Sequence, residues 1–223
     1  MSTIPAEVDV VVVGSGATGL PAAVTLAEGG AKVVVFEKQR SLGGTANFLH
    51  GTFAVESDMQ RERFIEISRD DAFKSIMEYS HWRANPRLVR AIVNESGPTI
   101  RWLQERGVVF TDASINMLGS PRTYHVVKGK GEAIVKALAT VAKEKGVDIL
   151  PGVPVTGLIK EGGRIRGVLV DDGGEEVEVS CKAVMIATGG YAGNTQMLEA
   201  FSDPNAGAMM VRGVSSKIGK KLE

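Results

Sequence analysis

The chain has 223 residues, enough for one large domain or two small ones, and its 43% hydrophobic and 23% charged content is typical of a globular protein. Basic and acidic residues number 26 each, and the resulting net charge of zero argues against nucleic-acid binding. The single cysteine, Cys181, excludes an internal disulfide, and neither a signal peptide nor a membrane-spanning apolar run is evident. We therefore expect a cytoplasmic protein that binds neither nucleic acid nor a membrane.

The N-terminal segment has the pattern of a βαβ unit. Val8–Val13 is apolar and rich in β-branched residues, as expected for a parallel strand covered on both faces. Ala17–Glu28 carries apolar residues at helical spacing and ends at Gly29-Gly30. Lys32–Phe36 is predicted to be a second buried strand. Together they predict two parallel strands joined by a right-handed helical crossover.

The segment from about residue 55 to 107 is predicted to be a helical insertion. Asn85-Pro86 has the pattern of a capped helix start, and Gly97-Pro98 predicts a break or kink. Val108–Phe110 is predicted to be extended, and Ser114–Lys130 is predicted to be a loop.

The second half of the chain alternates short apolar segments with glycine turns. Gly131–Lys145 is predicted to be a helix and Val147–Leu150 a strand. From about residue 153 to 180, "EGG" and "DDGG" turns predict a three-stranded antiparallel meander. Ala183–Ala187 is predicted to be a further buried strand, and from Ser202 onward no regular element is predicted. We expect an α/β fold with a parallel sheet, a helical insertion and a small antiparallel β-meander.

A GxGxxG motif, Gly14 to Gly19, lies between the first strand and the first helix. Gly14 permits the tight turn, Gly16 lets a diphosphate approach the backbone, and Gly19 allows close packing of helix on strand. The free N–H groups and the helix dipole at this point favour an anion. Within a βαβ unit the motif indicates a dinucleotide site rather than an ordinary glycine-rich turn.

Glu37 follows Gly19 by 18 residues, at the end of the second strand. This is close to the spacing of an acidic residue that accepts hydrogen bonds from a ribose. An acid at this place would repel a 2′-phosphate, which disfavours NADP.

Two further features favour a flavin over a nicotinamide cofactor. Gly43-Gly44 lies a few residues past Glu37, where it offers a second backbone approach to the same nucleotide. Ala187-Thr188-Gly189-Gly190 follows a later buried strand. A nicotinamide domain usually has neither, so an NAD-dependent dehydrogenase is the weaker alternative.

Four stretches resemble, in order, the fumarate reductase/succinate dehydrogenase flavoprotein family: Val10–Lys38, "GGTANFLHGTFAVES", "RTYHVVKGKGEAIVKAL" and "VMIATGGYAGN". The resemblance covers Val8 to Asn194. It implies a glutathione-reductase-like FAD-binding Rossmann domain of an oxidoreductase, and in this family a separate capping domain closes over flavin and substrate.

The resemblance also implies a set of FAD-binding residues. The pyrophosphate, the adenosine ribose, the adenine and the flavin ring system would be bound by Gly14, Ser15, Gly16, Ala17, Thr18, Gly19, Glu37, Lys38, Gly43, Gly44, Thr45, Ala46, Gly51, Thr52, Val155, Ala187, Thr188 and Gly189. Membrane-bound members attach FAD covalently through a histidine whose place is taken here by Thr45. A hydroxyl cannot replace the imidazole, so we expect non-covalent FAD.

Other polar residues have weaker cases. His50 could face the flavin, and Arg122 and His125 could contact an anionic substrate or the flavin, although each is also compatible with a polar loop. Cys181 is expected to be a small core residue. No His, Cys or carboxylate cluster has metal-ligand spacing, so no metal is predicted.

The resemblance implies hydride transfer between the flavin N5 and an activated C=C bond of an unsaturated acid or enone. The family's proton-donating arginine has no matching motif, so the catalytic residue is unknown. The chain stops at "KKLE", where family members continue, so we expect a truncated domain, inactive by itself and prone to self-association through an exposed apolar patch. The alternative is a non-catalytic or partner-completed flavin-binding module.

Overall fold

A computed structural model describes residues 4–116, 118–192 and 194–201. The chain forms two compact units. The first contains the described residues up to Asn47 and from Leu138 onward, and the second is Phe48–Ala137. The segment after Ser202, for which no regular element was predicted, lies outside the described residues.

The first unit is built on a six-stranded sheet. Its strands and helices are β1 (Glu7–Val13), α1 (Gly19–Glu28), β2 (Val33–Glu37), a short 3₁₀ helix (Gly44–Phe48), α5 (Lys130–Glu144, shared with the second unit), β6 (Asp148–Pro151), β7 (Val155–Glu161), β8 (Arg164–Asp172), β9 (Glu175–Ile186) and α6 (Thr195–Phe201). The strand order is β6-β2-β1-β9-β8-β7. The first four strands of this order are parallel, and β7, β8 and β9 pair antiparallel.

The parallel strands are buried because their side chains are apolar on both faces. Val11 and Val12 of β1 and Val34 and Val35 of β2 are fully buried. Cys181 is 6% exposed within the same core, as predicted, and burial raises the pKa of its thiol. An α/β fold with a mainly parallel sheet is therefore confirmed.

The predicted meander and the strand after it are not separate. Residues 175–186 form the single strand β9, which pairs antiparallel with β8 and parallel with β1. Ser180 has partners on both sides, Gly167 of β8 and Glu7 of β1. The pairing with two neighbours keeps the chain extended across Ser180, so the meander joins the parallel sheet.

The second unit combines three helices and the first part of α5 with a small sheet. Its elements are β3 (Gly51–Phe53), α2 (Asp58–Glu62), α3 (Arg69–Tyr79), α4 (Pro86–Glu105), β4 (Phe110–Ser114) and β5 (Tyr124–Val127), with strand order β3-β5-β4. The segment 55–107 contains α2, α3 and α4, so it is helical as predicted. Its capped helix start is confirmed, because Asn85 Oδ1 accepts hydrogen bonds from Arg87 N and Leu88 N at 3.0 and 3.3 Å.

Two local predictions in this unit need correction. Of the break or kink predicted at Gly97-Pro98, the break does not occur, because a buried face of helix α4 that includes Val93 and Ile100 outweighs a proline cost of about 3 kcal/mol. The predicted loop 114–130 contains β5, which is flanked by β3 and β4 on its two sides. Strand β3 is distant in sequence, and β4 is separated from β5 by residues 115–123, so no tight-turn pattern indicated either pairing.

Candidate functional site

The predicted nucleotide site lies at the carboxyl edge of the parallel strands. Strands β1, β2 and β9 end at Val13, Glu37 and Ile186, and the chain continues from each end into a segment predicted to bind the cofactor. Gly14 N donates to Phe36 O at 2.8 Å, and Ala187 N donates to Val13 O at 2.9 Å. The structure therefore brings the two outer motifs together, as expected for ligand sites of doubly wound sheets.

We call Gly14–Gly19 the first glycine loop, and two of its glycines are required by the chain's own packing. A Cβ on Gly14 would lie 2.6 Å from Ala187 O, and one on Gly19 would lie 1.8 Å from Gly14 O. Gly14 also has a φ of +102°, in the region that favours glycine. These two glycines allow three backbone segments to meet at the strand ends.

Gly16, Gly44 and Gly189 leave open space instead. A Cβ on Gly16 would meet only Gly43 O, at an ordinary 3.7 Å, and Gly16 does not adopt a positive φ. A Cβ on Gly44 or Gly189 would meet nothing within 4 Å. The packing of the described residues does not require a glycine at position 16. The open space beside Gly16 would therefore let a ligand approach the protein backbone closely.

The first glycine loop also presents hydrogen-bond donors. Among the described residues, the backbone N–H groups of Gly16, Ala17 and Thr18 have no hydrogen-bond acceptor. Helix α1 follows directly, and its first turn contains no acidic residue. Unpaired N–H groups at a helix N-terminus form an anion site, so the arrangement fits a diphosphate.

Glu37 is 7% exposed, and both of its carboxylate oxygens accept hydrogen bonds from the protein. Oε2 accepts from Ser15 N at 3.0 Å and from Ser15 Oγ at 2.6 Å, and Oε1 accepts from Gln39 N at 2.9 Å. A carboxylate has about four acceptor positions, so one remains for a ribose hydroxyl. Partial burial lowers the pKa of the neighbouring Lys38, and the charge of Glu37 partly opposes this shift.

We call Gly43–Ala46 the second glycine loop. Its first amide, Gly43 N, donates to Ser15 Oγ at 3.1 Å, so this loop is hydrogen-bonded to the first glycine loop. Gly43 and Gly44 both have a positive φ, which the turn requires. Thr45 is exposed and Ala46 is buried.

The segment that leads to Val155 lies against Glu37. Gly152 N donates to Gln39 O at 2.9 Å, and Val153 N donates to Glu37 O at 3.0 Å. Val155 begins β7 two residues later, at the edge of the sheet. The structure thus places Val155 on the side of the candidate site where Glu37 lies.

Gly51 and Thr52 belong to the second unit. A Cβ on Gly51 would lie 2.5 Å from His125 O, so packing within this unit already requires a glycine there. Thr52 pairs with His125 across the β3–β5 ladder. His50 is exposed, and its carbonyl accepts from Val127 N at 3.0 Å.

His125 is fully buried in the second unit, and its contacts do not fit the substrate role considered for it. Its Nδ1 lies 3.3 Å from Thr123 O, which can only accept, so Nδ1 carries the proton. Its Nε2 then accepts from Ser57 Oγ at 2.7 Å. Arg122 donates to Ala113 O at 2.8 Å and is paired with Asp112.

Ser57 and Gln60, which the sequence analysis did not single out, complete this buried network. Ser57 Oγ accepts from Gln60 N at 3.1 Å, and Gln60 Oε1 accepts from Ser57 N at 3.0 Å, which forms the capping box of α2. The Ser-x-x-Gln spacing is the local signal that could have identified the cap. The contact with His125 depends on the fold of the second unit.

Comparison with known proteins agrees with this geometry. Residues 9–221 match the family described as FAD binding domain. The chain belongs to the fumarate reductase/succinate dehydrogenase flavoprotein family. It is therefore a flavoprotein domain of an oxidoreductase family, and FAD is favoured over the nicotinamide alternative.

Three relatives illustrate the match. The chain is 36% identical to vinyl phenol reductase from Lactiplantibacillus plantarum over 195 residues, which are 86% of the chain and 39% of the relative. It is 33% identical to NADH:fumarate oxidoreductase from Klebsiella pneumoniae over 202 residues, 87% of the chain and 22% of the relative. The open conformation of a flavocytochrome c3 fumarate reductase superposes with a TM-score of 0.84 at 25% identity, covering 92% of the chain and 38% of that structure.

The chain thus spans less than two fifths of the length of each of these relatives. In the described part of the chain, no helix is both long and apolar enough to cross a membrane.

The two kinds of glycine predict opposite effects of an added methyl group. Gly16→Ala should change the free energy of unfolding of the cofactor-free protein by no more than about 0.5 kcal/mol, because nothing obstructs its Cβ, yet weaken FAD binding about tenfold or more. Gly19→Ala should lower the free energy of unfolding by more than about 3 kcal/mol, because its Cβ would overlap Gly14 O. Urea unfolding followed by circular dichroism and FAD titration followed by flavin fluorescence measure the two effects. Full FAD affinity in Gly16→Ala would contradict the assignment.

His125 should make the second unit less stable in acid. Burial lowers the pKa of His125, and the hydrogen bond to Thr123 only partly offsets this. Its folded-state pKa therefore lies below the unfolded value of about 6.5, and stability present above that pH is lost as the pH falls through the folded-state pKa. Both tryptophans, Trp82 and Trp102, lie in this unit, so their fluorescence reports its urea midpoint.

The matched control is His125→Gln, which is expected to be less stable at neutral pH but to lose less stability between about pH 7.5 and pH 5.5. An equal acid-induced fall of the midpoint in wild type and variant would show that His125 is not the titrating group.

Proposed function

We propose that this chain is the FAD-binding domain of a fumarate-reductase-type oxidoreductase that reduces or oxidises an activated C=C or CH–CH bond of a small molecule. The observation that carries the proposal is the open space beside Gly16, at the carboxyl edge of the parallel strands. It lies next to three backbone N–H groups that have no acceptor among the residues the structure describes. Such a place fits a diphosphate rather than a protein side chain.

We assign each part of the cofactor to residues by this geometry and by family resemblance. The two glycine loops would hold the diphosphate through backbone N–H groups, with Ala187, Thr188 and Gly189 on the other side. Glu37, beside Lys38, would accept one hydrogen bond from the adenosine ribose, and Val155 would lie near the adenine. Gly51 and Thr52 are assigned to the flavin ring by resemblance alone. In this proposal the whole chain is one FAD-binding domain, and residues 55–107 are its helical insertion.

When bound, FAD would supply hydride transfer at its N5 position to the activated C=C bond. The contribution of the described residues is to bind and orient the cofactor. The relatives reduce fumarate and vinyl phenol by name, and both compounds carry a conjugated C=C bond. Fumarate is an unsaturated acid, so the relative named for it supports a substrate of the unsaturated acid class, within our proposal of an unsaturated acid or enone.

We further propose that the FAD is bound non-covalently, because Thr45 stands where a covalent attachment would need a histidine. Acid precipitation of the loaded protein should leave all of the flavin in the supernatant. Flavin retained in the washed precipitate would contradict this proposal.

Turnover tests the oxidoreductase activity itself. The purified full chain, loaded with FAD, is assayed with a reduced viologen dye against fumarate, urocanate, vinyl phenol and an enone steroid. Oxidation of the dye that depends on one of these acceptors supports the proposal. The matched control is Gly16→Ala, which should lose FAD and turnover together at a given FAD concentration. FAD binding without turnover on any acceptor would agree with the expectation that the chain is inactive by itself, and it would agree equally with a non-catalytic flavin-binding module.

A further inference from the structure

We infer that Ser15 is a positioning residue that holds the two glycine loops at the spacing that the diphosphate of FAD needs. This inference rests on the proposed function, because it concerns the same site. It differs from the role implied by family resemblance, in which Ser15 itself meets the pyrophosphate.

The hydrogen-bonding groups of Ser15 are already engaged within the protein. Its side chain is fully buried, and its Oγ donates its only hydrogen to Glu37 Oε2 at 2.6 Å. Its backbone N–H donates to the same oxygen at 3.0 Å. Neither donor is therefore available to a phosphate oxygen, unlike the N–H groups of Gly16, Ala17 and Thr18.

The hydroxyl oxygen links the first glycine loop to the second. Ser15 Oγ accepts from Gly43 N at 3.1 Å, and Gly43 is buried, so no solvent would replace this bond. The next residue, Gly16, faces Gly43 O, which would lie 3.7 Å from an added Cβ. The Ser15–Gly43 bond thus sets the distance between the loops beside the open space at Gly16.

The same hydroxyl orients Glu37 for the ribose. Because Oε2 is occupied by two donors from Ser15, the remaining acceptor position of the carboxylate lies on Oε1, whose one donor among the described residues is Gln39 N. A serine at this position therefore determines which carboxylate oxygen faces the ribose. Alanine would leave Glu37 with one fewer donor and Gly43 N–H buried without an acceptor.

The test compares the wild-type 223-residue chain with its Ser15→Ala variant. In the variant the buried Gly43 N–H has no acceptor, which destabilises the contact between the two glycine loops. We therefore expect about tenfold weaker binding of both FAD and ADP. In the cofactor-free protein, the Gly43 amide should exchange with solvent about tenfold faster in Ser15→Ala than in wild type. Calorimetric titration gives the affinities, and amide exchange followed by NMR gives the local effect without any bound cofactor.

Ser96→Ala is the matched control. Ser96 is 6% exposed, and like Ser15 its hydroxyl accepts from a backbone N–H, that of Val55 at 3.1 Å, and donates to another group, Val93 O at 2.8 Å. It lies in the second unit, away from both glycine loops in sequence. The control should unfold more easily than wild type but keep wild-type FAD affinity and Gly43 exchange.

The outcomes separate the two proposals. A wild-type protein that binds neither FAD nor ADP overturns the proposed function and this inference with it. Binding by wild type together with unchanged affinity in Ser15→Ala, or an equal loss in Ser96→Ala, overturns the inference alone. If Ser15→Ala does not fold, amide exchange in the wild-type protein alone tests the inference. The Gly43 amide should then exchange with solvent about tenfold more slowly than the Gly16 amide. Equal exchange of the two amides would refute the hydrogen bond between Ser15 and Gly43.

Discussion

The site depends on the close approach of backbone segments at the ends of β1 and β9. Gly14, Gly19 and Ala187 meet at distances that exclude a side chain on either glycine. This contact fixes where helix α1 begins, and the start of α1 fixes where the N–H groups of Gly16, Ala17 and Thr18 lie. A diphosphate site therefore follows from packing among strands that are themselves held by valine-rich burial.

A buried carboxylate then joins this packed edge to the rest of the site. An acidic residue at this position of the motif usually contacts a ribose. In this structure most acceptor positions of the Glu37 carboxylate are used by the protein itself. Ser15 and Gln39 occupy three of its acceptor positions, and the backbone of residue 37 also accepts from Val153. Three of the segments assigned to FAD are thus connected through one residue, which gives the site a defined shape before a ligand binds.

The second unit shows how the same kinds of residue can have purely structural roles. Gly51 is required by the adjacent His125 carbonyl, and His125 is held by Ser57 inside a satisfied hydrogen-bond network. A buried, fully bonded histidine with a lowered pKa is suited to stability rather than to contact with an anionic substrate. The assignment of Gly51 and Thr52 to the flavin therefore rests on resemblance alone.

The sequence by itself determined the βαβ unit, the glycine loops and the family, because strand–turn–helix order, residue spacing and motif order are local and linear properties. The tertiary structure decided what depends on contacts with other elements of the fold. Strand β9 is continuous because β1 and β8 pair with it, Gly97-Pro98 remains helical because the helix face around it is buried, and β5 exists because β3 and β4 flank it. The hydrogen bonds of the Ser15 side chain also depend on the tertiary structure, since its partners Glu37 and Gly43 lie 22 and 28 residues away in sequence. A glycine in a motif looks the same in sequence whether packing or a ligand requires it, and only its neighbours in space distinguish Gly19 from Gly16.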